Sequence, residues 1–475
     1  MHLVFLNQYY PPDAAPTGVM LKAVAERLVA DGHGVTVLCA AGGYAGERCK
    51  TTRRKTQEEE VEVPVRDATT VPSTIQNPKS KIQNSNLRIL RIGATKLGRS
   101  TFVGKLLDYT FYYIGVAWKL MTMHPRPERI VALTTPPYLS VLARVISKLR
   151  GVDHAHWVMD LYPDVMAAHG MLKEKGYVYR VLTRLARFGF GGSRCVAVLT
   201  LGPDMAERVE KVMDPALSVV PASSSQPSSS CVQWVPLWGT EAAAVTMVRA
   251  IDKLLPSRDL RRERGWADDE LVVMYSGNMG LGHRFAEILK VAEGEADVEI
   301  RSDEADPLSI QNPKSKIQNL PKTRFVFYGG GKRREEIRDF IRKHPGGPVE
   351  LHDYVAAEML DAHLRSADVH LVSLDAAWTG TMVPSKLQGV FAAERPVIFI
   401  GSAGSSIGRW VSESGGGWVV ESADVAALTA AIEEAGNPQE RARRGRAAKL
   451  FADLNFDRKT NVARVAEVLV GSAKA

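Results

Sequence analysis

HLVFLNQYYPPDAAPTGVMLKAVAERLVADGHGVTVL, residues 2–38, sets a strand period and a helix period side by side. His2 to Asn7 is a short apolar run, Gln8 to Gly18 a loop rich in proline and glycine, and Val19 to Asp31 repeats apolar residues at helical spacing. Gly32 stops that helix and Gly34 to Leu38 is a second apolar run. Two strands joined by a helix lie parallel, because an antiparallel pair needs only a hairpin.

Working outward, apolar strand candidates recur at Leu87 to Ile92, Arg129 to Thr134, His154 to Met159 and Cys195 to Thr200, with helical patterns between most of them. A second series starts after Trp238, with strands at Leu271 to Ser276, Arg324 to Tyr328, Val349 to Asp353, Asp368 to Leu374 and Pro396 to Ile400. The expected class is α/β, with two Rossmann-like domains facing each other across a cleft lined by the carboxyl ends of their strands. Residues 1–238 form the first expected domain and 239–455 the second, and a helix within 456–475 is expected to cross back to the first. Three inserts interrupt this plan near 68–86, 222–233 and 302–320. Two of them carry the same string, Ile75 to Asn84 and Ile310 to Asn319, and the other the serine-rich Ser223 to Ser230. An identical string at unrelated positions is not a structural repeat, so these read as surface loops.

The 475 residues exceed one ordinary core, and 45% hydrophobic with 24% charged residues fit a soluble globular protein. A net charge of +8 invites an anionic partner. No nucleic-acid motif accompanies it, which leaves an anionic membrane surface. Cys39, Cys49, Cys195 and Cys231 show no CxxC spacing and no histidines in ligand register, so a reducing compartment and no metal are expected. The N-terminus lacks a basic segment before its short apolar run and no spanning helix is apparent, so a cytoplasmic protein, peripheral at the membrane, is expected.

Several turns could carry chemistry. Thr381 to Val397 reads as a loop, a helix opened by Pro384 and a strand, placing Ser385 and Lys386 at a helix start where unpaired N–H groups attract phosphate; an ordinary helix start is the alternative. Leu271 to Ser276 runs into Gly277-Asn-Met-Gly-Leu-Gly-His283, a glycine-rich strand-to-helix turn in which His283 either donates to a diphosphate or caps the helix. Phe325 to Arg334 ends in a second glycine turn with Lys332, Arg333 and Arg334, whose charges suit either a ligand or a solvated helix start. Gly18 either faces the cleft, where only a small residue leaves room for ligand, or belongs to a rigid connector. Asp160 and Asp164 leave the carboxyl edge of the first sheet together; Asp160 suits a general base, a stabiliser of positive charge on a sugar ring, or a helix cap. Leu106 to Leu120 and Tyr177 to Arg187 pair aromatic or aliphatic faces with Lys105, Lys119, Arg180, Arg184 and Arg187, a pattern shared by lipid-interface helices and by core helices with a basic rim.

The order of these motifs resembles the retaining GT-B glycosyltransferases of family four, in particular the WbuB-like group associated with bacterial surface polysaccharides. The resemblance spans nearly the whole chain outside the inserts. It rests on Tyr9-Tyr-Pro-Pro-Asp13, Asp160-Leu-Tyr-Pro-Asp164, Val235-Pro-Leu-Trp238, Tyr275 to His283, Phe327-Tyr-Gly-Gly-Gly331, Ala367 to Ser373 and Val383-Pro-Ser-Lys-Leu387. It implies a hexosyl transfer with retention, needing no metal or cofactor, from a nucleotide sugar, foremost a UDP-sugar, to a lipid-linked or oligosaccharide acceptor. By the same resemblance Gly277, Asn278, Gly280 and Gly282 would line the diphosphate, Tyr354 and Val355 the base, and Ser385 and Lys386 the leaving phosphate. Thr381 and Gly389 depart from the family, standing where two glutamates are usual. A GT-B epimerase or phosphorylase, or a silent nucleotide-sugar-binding scaffold, are the competing expectations.

Overall fold

The computed structural model describes residues 1–13, 15–41, 57–61, 87–93, 102–214, 231–239, 257–302 and 321–471. The strings Ile75 to Asn84, Ser223 to Ser230 and Ile310 to Asn319 lie outside them. Strand β1 (His2–Leu6) is nearly all buried and passes through helix α1 (Pro16–Ala30) to β2 (Gly34–Ala40), which it pairs in parallel, Leu3 opposite Val35. The helix starts three residues before the expected Val19, because Pro16 fits the first turn without needing an N–H partner. Gly32, at φ +85°, ends it.

The first sheet continues with β3 (Gln57–Val61), β4 (Leu87–Ile92), β5 (Arg129–Ala132), β6 (Asp153–Trp157), β7 (Cys195–Thr200) and β8 (Val232–Trp234), in the spatial order β3-β4-β2-β1-β5-β6-β7-β8. Among the described residues only the β3–β4 pair is antiparallel. Neither β3 nor β8 was expected: three consecutive glutamates read as a solvated loop, and three residues are too few for a period. Strand β8 also takes back residues assigned to the serine-rich insert. Helices α2 (Phe102–Thr122), α3 (Leu139–Arg150), α4 (Asp164–Ala168), α5 (Tyr177–Phe190) and α6 (Pro203–Met213) complete this half.

In the second half, α7 (Ser257–Glu263), β9 (Leu271–Ser276), α8 (Ala286–Ser302), β10 (Thr323–Tyr328), α9 (Arg334–Lys343), β11 (Val349–His352), α10 (Leu360–Ser366), β12 (Val369–Ser373), α11 (Lys386–Ala392), β13 (Val397–Ile400), α12 (Ser406–Ser414), β14 (Gly417–Val420), α13 (Val425–Ala435) and α14 (Pro438–Asn455) follow one another. Their six strands pair in the order β11-β10-β9-β12-β13-β14, all in parallel. Near-continuous apolar strands such as Leu271 to Tyr275, buried throughout, are what a sheet covered on both faces requires. Two Rossmann-like domains result.

They meet at their carboxyl edges. After β6, the Leu161 N–H donates to the Thr381 carbonyl at 2.8 Å. After β7, Asp204 accepts from the Gly380 N–H at 3.1 Å and from the Ser406 hydroxyl, and Arg208 donates to the Thr379 carbonyl at 2.9 Å. The final helix, α15 (Arg458–Val470), returns to the first sheet, where Arg129 donates to its Leu469 carbonyl at 2.6 Å and Asn461 donates to the Pro236 carbonyl at 3.3 Å. One apolar cluster runs from Phe5 and Trp157 to Phe391 and Phe456, so core packing as well as polar contacts joins the halves.

Candidate functional site

The turns after β9 and β10 lie against each other, backbone to backbone. Gly277 has φ +134° and its N–H donates to the Tyr328 carbonyl at 2.9 Å; Gly329 has φ +124° and its N–H donates to the His352 carbonyl at 3.1 Å. A Cβ on Gly329 would stand 2.2 Å from the Gly277 carbonyl oxygen, and one on Gly331 2.6 Å from Asn278 Oδ1. These glycines are spatial necessities. Gly280 accepts from the His283 N–H, and Gly282 packs against Trp378 and Met382, where a Cβ would come to 3.0 Å. Tyr354 is 62% exposed and its ring lies over Gly329 and Gly330, so a flat apolar face covers the turn. Val355 packs inward against the small cluster holding Trp266 and Tyr328.

Into this cradle comes Lys386. Its Nζ donates to the Tyr275 hydroxyl at 2.8 Å and the Asn278 carbonyl at 3.4 Å, and lies 3.0 Å from His283 Nε2. A Cβ on Gly277 would meet Lys386 Cε at 2.6 Å, so that glycine makes room for the lysine stem. Burial, with no carboxylate partner among the described residues, brings the ammonium down to about 7.

His283 is buried and its Nδ1 lies 2.7 Å from the Ser373 carbonyl. A carbonyl only accepts, so Nδ1 carries the proton and Nε2 offers a lone pair to Lys386. Burial, then the lysine charge, hold the imidazole down at about 3. This corrects both expectations for His283: it is no exposed cap, and it has no N–H left for a diphosphate. It orients the lysine instead.

The expected helix start is also corrected. Helix α11 begins at Lys386 with Ser385 as the residue before it, so Pro384 lies outside the helix. Ser385 is exposed and makes no capping bond, leaving its hydroxyl available to a ligand. Thr381 is fully buried, its hydroxyl donating to the Trp378 carbonyl at 2.8 Å, so a carboxylate there would be desolvated. Gly389 differs: a Cβ there would reach Leu364 Cδ1 at an ordinary 3.5 Å.

Across the cleft, Asp160 follows β6 and its N–H donates to Thr134 Oγ1 at 3.2 Å. Burial pushes its carboxyl up to about 6. With Thr134, Tyr138, His156, Tyr162 and Phe190 it lines a small pocket. Asp164 parts company with it, paired to Arg208 at 2.7 Å and accepting from the Tyr179 hydroxyl at 3.0 Å. Gly18 lies inside α1, where a Cβ would meet the Tyr9 carbonyl at 3.0 Å; the backbone of its own loop takes that space. Of the three cations after β10, Arg333 donates to the His283 carbonyl at 2.6 Å and Arg334 pairs with Asp353 at 2.7 Å. Lys332 has no ion-pair partner among the described residues; burial, then the Lys332 charge, lower His169 of the first domain.

Motif reading quoted Tyr275 but gave it no role, and missed Trp378 and Asp204. Trp378 touches Gly282 and sets its ring edge-on to His169 at 4.6 Å, bridging the domains. Each of the three acts through a partner more than 90 residues away, or in the other domain.

Residues 308–437 match the protein family described as Glycosyl transferases group 1. The chain is 24% identical over 317 residues to "Probable glycosyltransferase WbjE" of Pseudomonas aeruginosa, covering 66% of this chain and 68% of that one. It is also 24% identical over 447 residues to "Putative colanic acid biosynthesis glycosyl transferase WcaI" of Escherichia coli K12, 92% of each chain. Among solved structures, HepE of Anabaena in complex with UDP superposes with a TM-score of 0.58 at 11% identity, over 99% of this chain and all of the other.

Proposed function

We propose that this chain, a glycosyltransferase of GT-B fold, moves a hexose from a UDP-sugar to a lipid-linked or oligosaccharide acceptor in surface polysaccharide synthesis, with retention and without a metal. The observation that carries the reading is the cation in a glycine cradle. Lys386 sits on the carboxyl edge of the second sheet, held by Tyr275, Asn278 and His283, with glycine backbone around it. As the glycosidic bond breaks, negative charge grows on the leaving diphosphate, and an ammonium already in place stabilises it without reorganisation. Lys332 adds a second cation, and Tyr354 offers its exposed ring to the base. UDP in the HepE structure and the relatives' names favour the same donor and pathway.

On the acceptor side Asp160, raised to about 6 by burial, is still largely ionised at neutral pH. There it stabilises positive charge on the sugar ring or accepts the acceptor's hydroxyl proton. Departure and attack then occur on the same face, steered by the leaving phosphate. Incubation with UDP- and GDP-sugars and polyprenyl-diphosphate sugar acceptors tests the reading: UDP release with a product of unchanged anomeric configuration is expected, and absence of transfer from every donor rejects it.

The lysine gives the donor site a pH signature. Free Lys386 is charged below pH 7 and neutral above it, whereas a bound diphosphate favours the charged form, so binding above pH 7 takes up a proton. UDP-sugar affinity should weaken as pH rises from 7 to 9, by up to about tenfold per unit. Folding runs the other way: between 7 and the ordinary lysine value the unfolded chain holds the extra proton, so stability rises with pH. Calorimetry in buffers of different ionisation heat measures the uptake; a flat profile would remove Lys386 from the diphosphate.

The same proposal places the protein at an anionic membrane. No helix of the described residues is long and apolar enough to cross one. Neighbouring helices α2, α3 and α5 instead leave Phe111, Ile114, Trp118, Leu149, Tyr177 and Val178 exposed, Trp118 by 72%. Arg180 and Arg184 are exposed beside them, while Arg187 is turned onto α6, donating to the Val212 carbonyl at 2.7 Å. Anionic vesicles should retain the chain at low salt, and Trp118→Ala with Tyr177→Ala should weaken retention by roughly tenfold or more. Equal retention by neutral vesicles would remove the charge component.

A further inference from the structure

His154 and His156 are two residues apart on β6, so both side chains leave the same face of the sheet, toward α3 and α5. Strand register sets His154 opposite Cys195 on β7. One ligand atom from each of the three lies within 4.8 Å of the others. Both histidines are 1% exposed, with ring centroids 5.2 Å apart.

Their nitrogens are not spent on the fold. His154 Nδ1 lies 2.9 Å from Ser147 Oγ, and the Ser147 hydroxyl donates its proton to the Val152 carbonyl. Ser147 therefore accepts from His154, Nδ1 carries the proton, and Nε2 has no partner of hydrogen-bond geometry among the described residues, although the Gly191 backbone passes near. Both ring nitrogens of His156 are likewise without a hydrogen-bond partner, although the Gly189 backbone passes near. Three unused nitrogens in a fully buried site are unusual for a core, where each such group costs stability. Burial keeps both imidazoles neutral, the ligating form. A hydrogen bond to Cys231, then burial, hold the Cys195 thiol protonated, so a metal that takes this sulfur must displace its proton.

The geometry points to a zinc-class metal site formed by His154 Nε2, a ring nitrogen of His156 and the Cys195 thiolate, with a fourth position for water. Two imidazoles and a thiolate select zinc or cobalt over magnesium or calcium. Tetrahedral ligation brings such atoms to about 3.3–3.6 Å of one another, which closes the present cluster by roughly an ångström. The hydrogen bond from His154 Nδ1 to Ser147 is the outer-shell contact that fixes a ligating ring. His156 also lines the small pocket that holds Asp160. A bound metal would tie β6 to β7 beneath the loop carrying Asp160.

The test uses the full chain, reduced with a phosphine, stripped with chelator and titrated with Co²⁺. A thiolate-to-cobalt charge-transfer band saturating at one equivalent, with a melting temperature raised by several degrees, is expected. Cys195→Ser should abolish the band, His156→Ala should weaken binding at least about tenfold, and Ser147→Ala by roughly 10- to 100-fold. Cys231→Ser, at a thiol that hydrogen-bonds Cys195 but lies outside the cluster, should keep the band. No thiolate band in the folded protein, or one that survives Cys195→Ser, overturns the proposal. Should His156→Ala not fold, the near-isosteric Cys195→Ser and Ser147→Ala decide alone.

Discussion

Lys386→Ala is expected to lower turnover by about 100- to 1,000-fold, the loss seen when one preorganised group facing a developing negative charge is removed. The lysine meets charge that grows as the donor bond breaks, so kcat should fall more than donor KM rises. Stability should not fall with it. The ammonium is buried without a carboxylate, at a cost recorded in its descent to about 7, and Tyr275 keeps its own hydrogen bond to the Asn278 carbonyl at 2.7 Å when the lysine is gone. Steady-state kinetics together with thermal unfolding separate the two effects. An active variant refutes the role, and an inactive variant that melts earlier makes Lys386 structural.

Gly329→Ala carries the largest expected loss of stability near the site. The added methyl would stand 2.2 Å from the Gly277 carbonyl oxygen at a φ of +124°, and both obstacles are backbone, which cannot swing aside as a side chain would. Strain and overpacking together set the cost at roughly 2–5 kcal/mol. The turn at Gly277 must shift as well, which closes the space that Lys386 Cε uses, so the surviving folded protein should also bind UDP-sugar weakly. Gly346→Ala is the matched control: its φ is +78° but nothing lies within 4 Å, so only about 1 kcal/mol is expected. Urea unfolding of the pair measures the difference. Equal losses would mean that the two glycine turns are not packed as described.

Much of the architecture was legible because parallel α/β strands are buried on both faces and appear as apolar runs. All eleven strands read from such runs are present, whereas β3, β8 and β14 were missed, being acidic, three residues long, or masked by glycines. The glycine turns were legible for a related reason, since a strand-to-helix turn is local, whereas the contact of Lys386 with Tyr275 joins residues 111 apart. His283 was visible as a residue but misread in its role. Which nitrogen holds its proton depends on the Ser373 carbonyl, 90 residues away.

The sequence by itself determined the two parallel-sheet domains and the glycine turns, since each follows from periods and turns spanning a few residues. Only the tertiary structure decided that Asp164 pairs with Arg208 while Asp160 has no ion-pair partner among the described residues, that Thr381 is buried where a carboxylate was looked for, and that Cys195 meets His154 and His156. Those outcomes depend on strand register and on the contact between two carboxyl edges, which bring together residues that no local period connects.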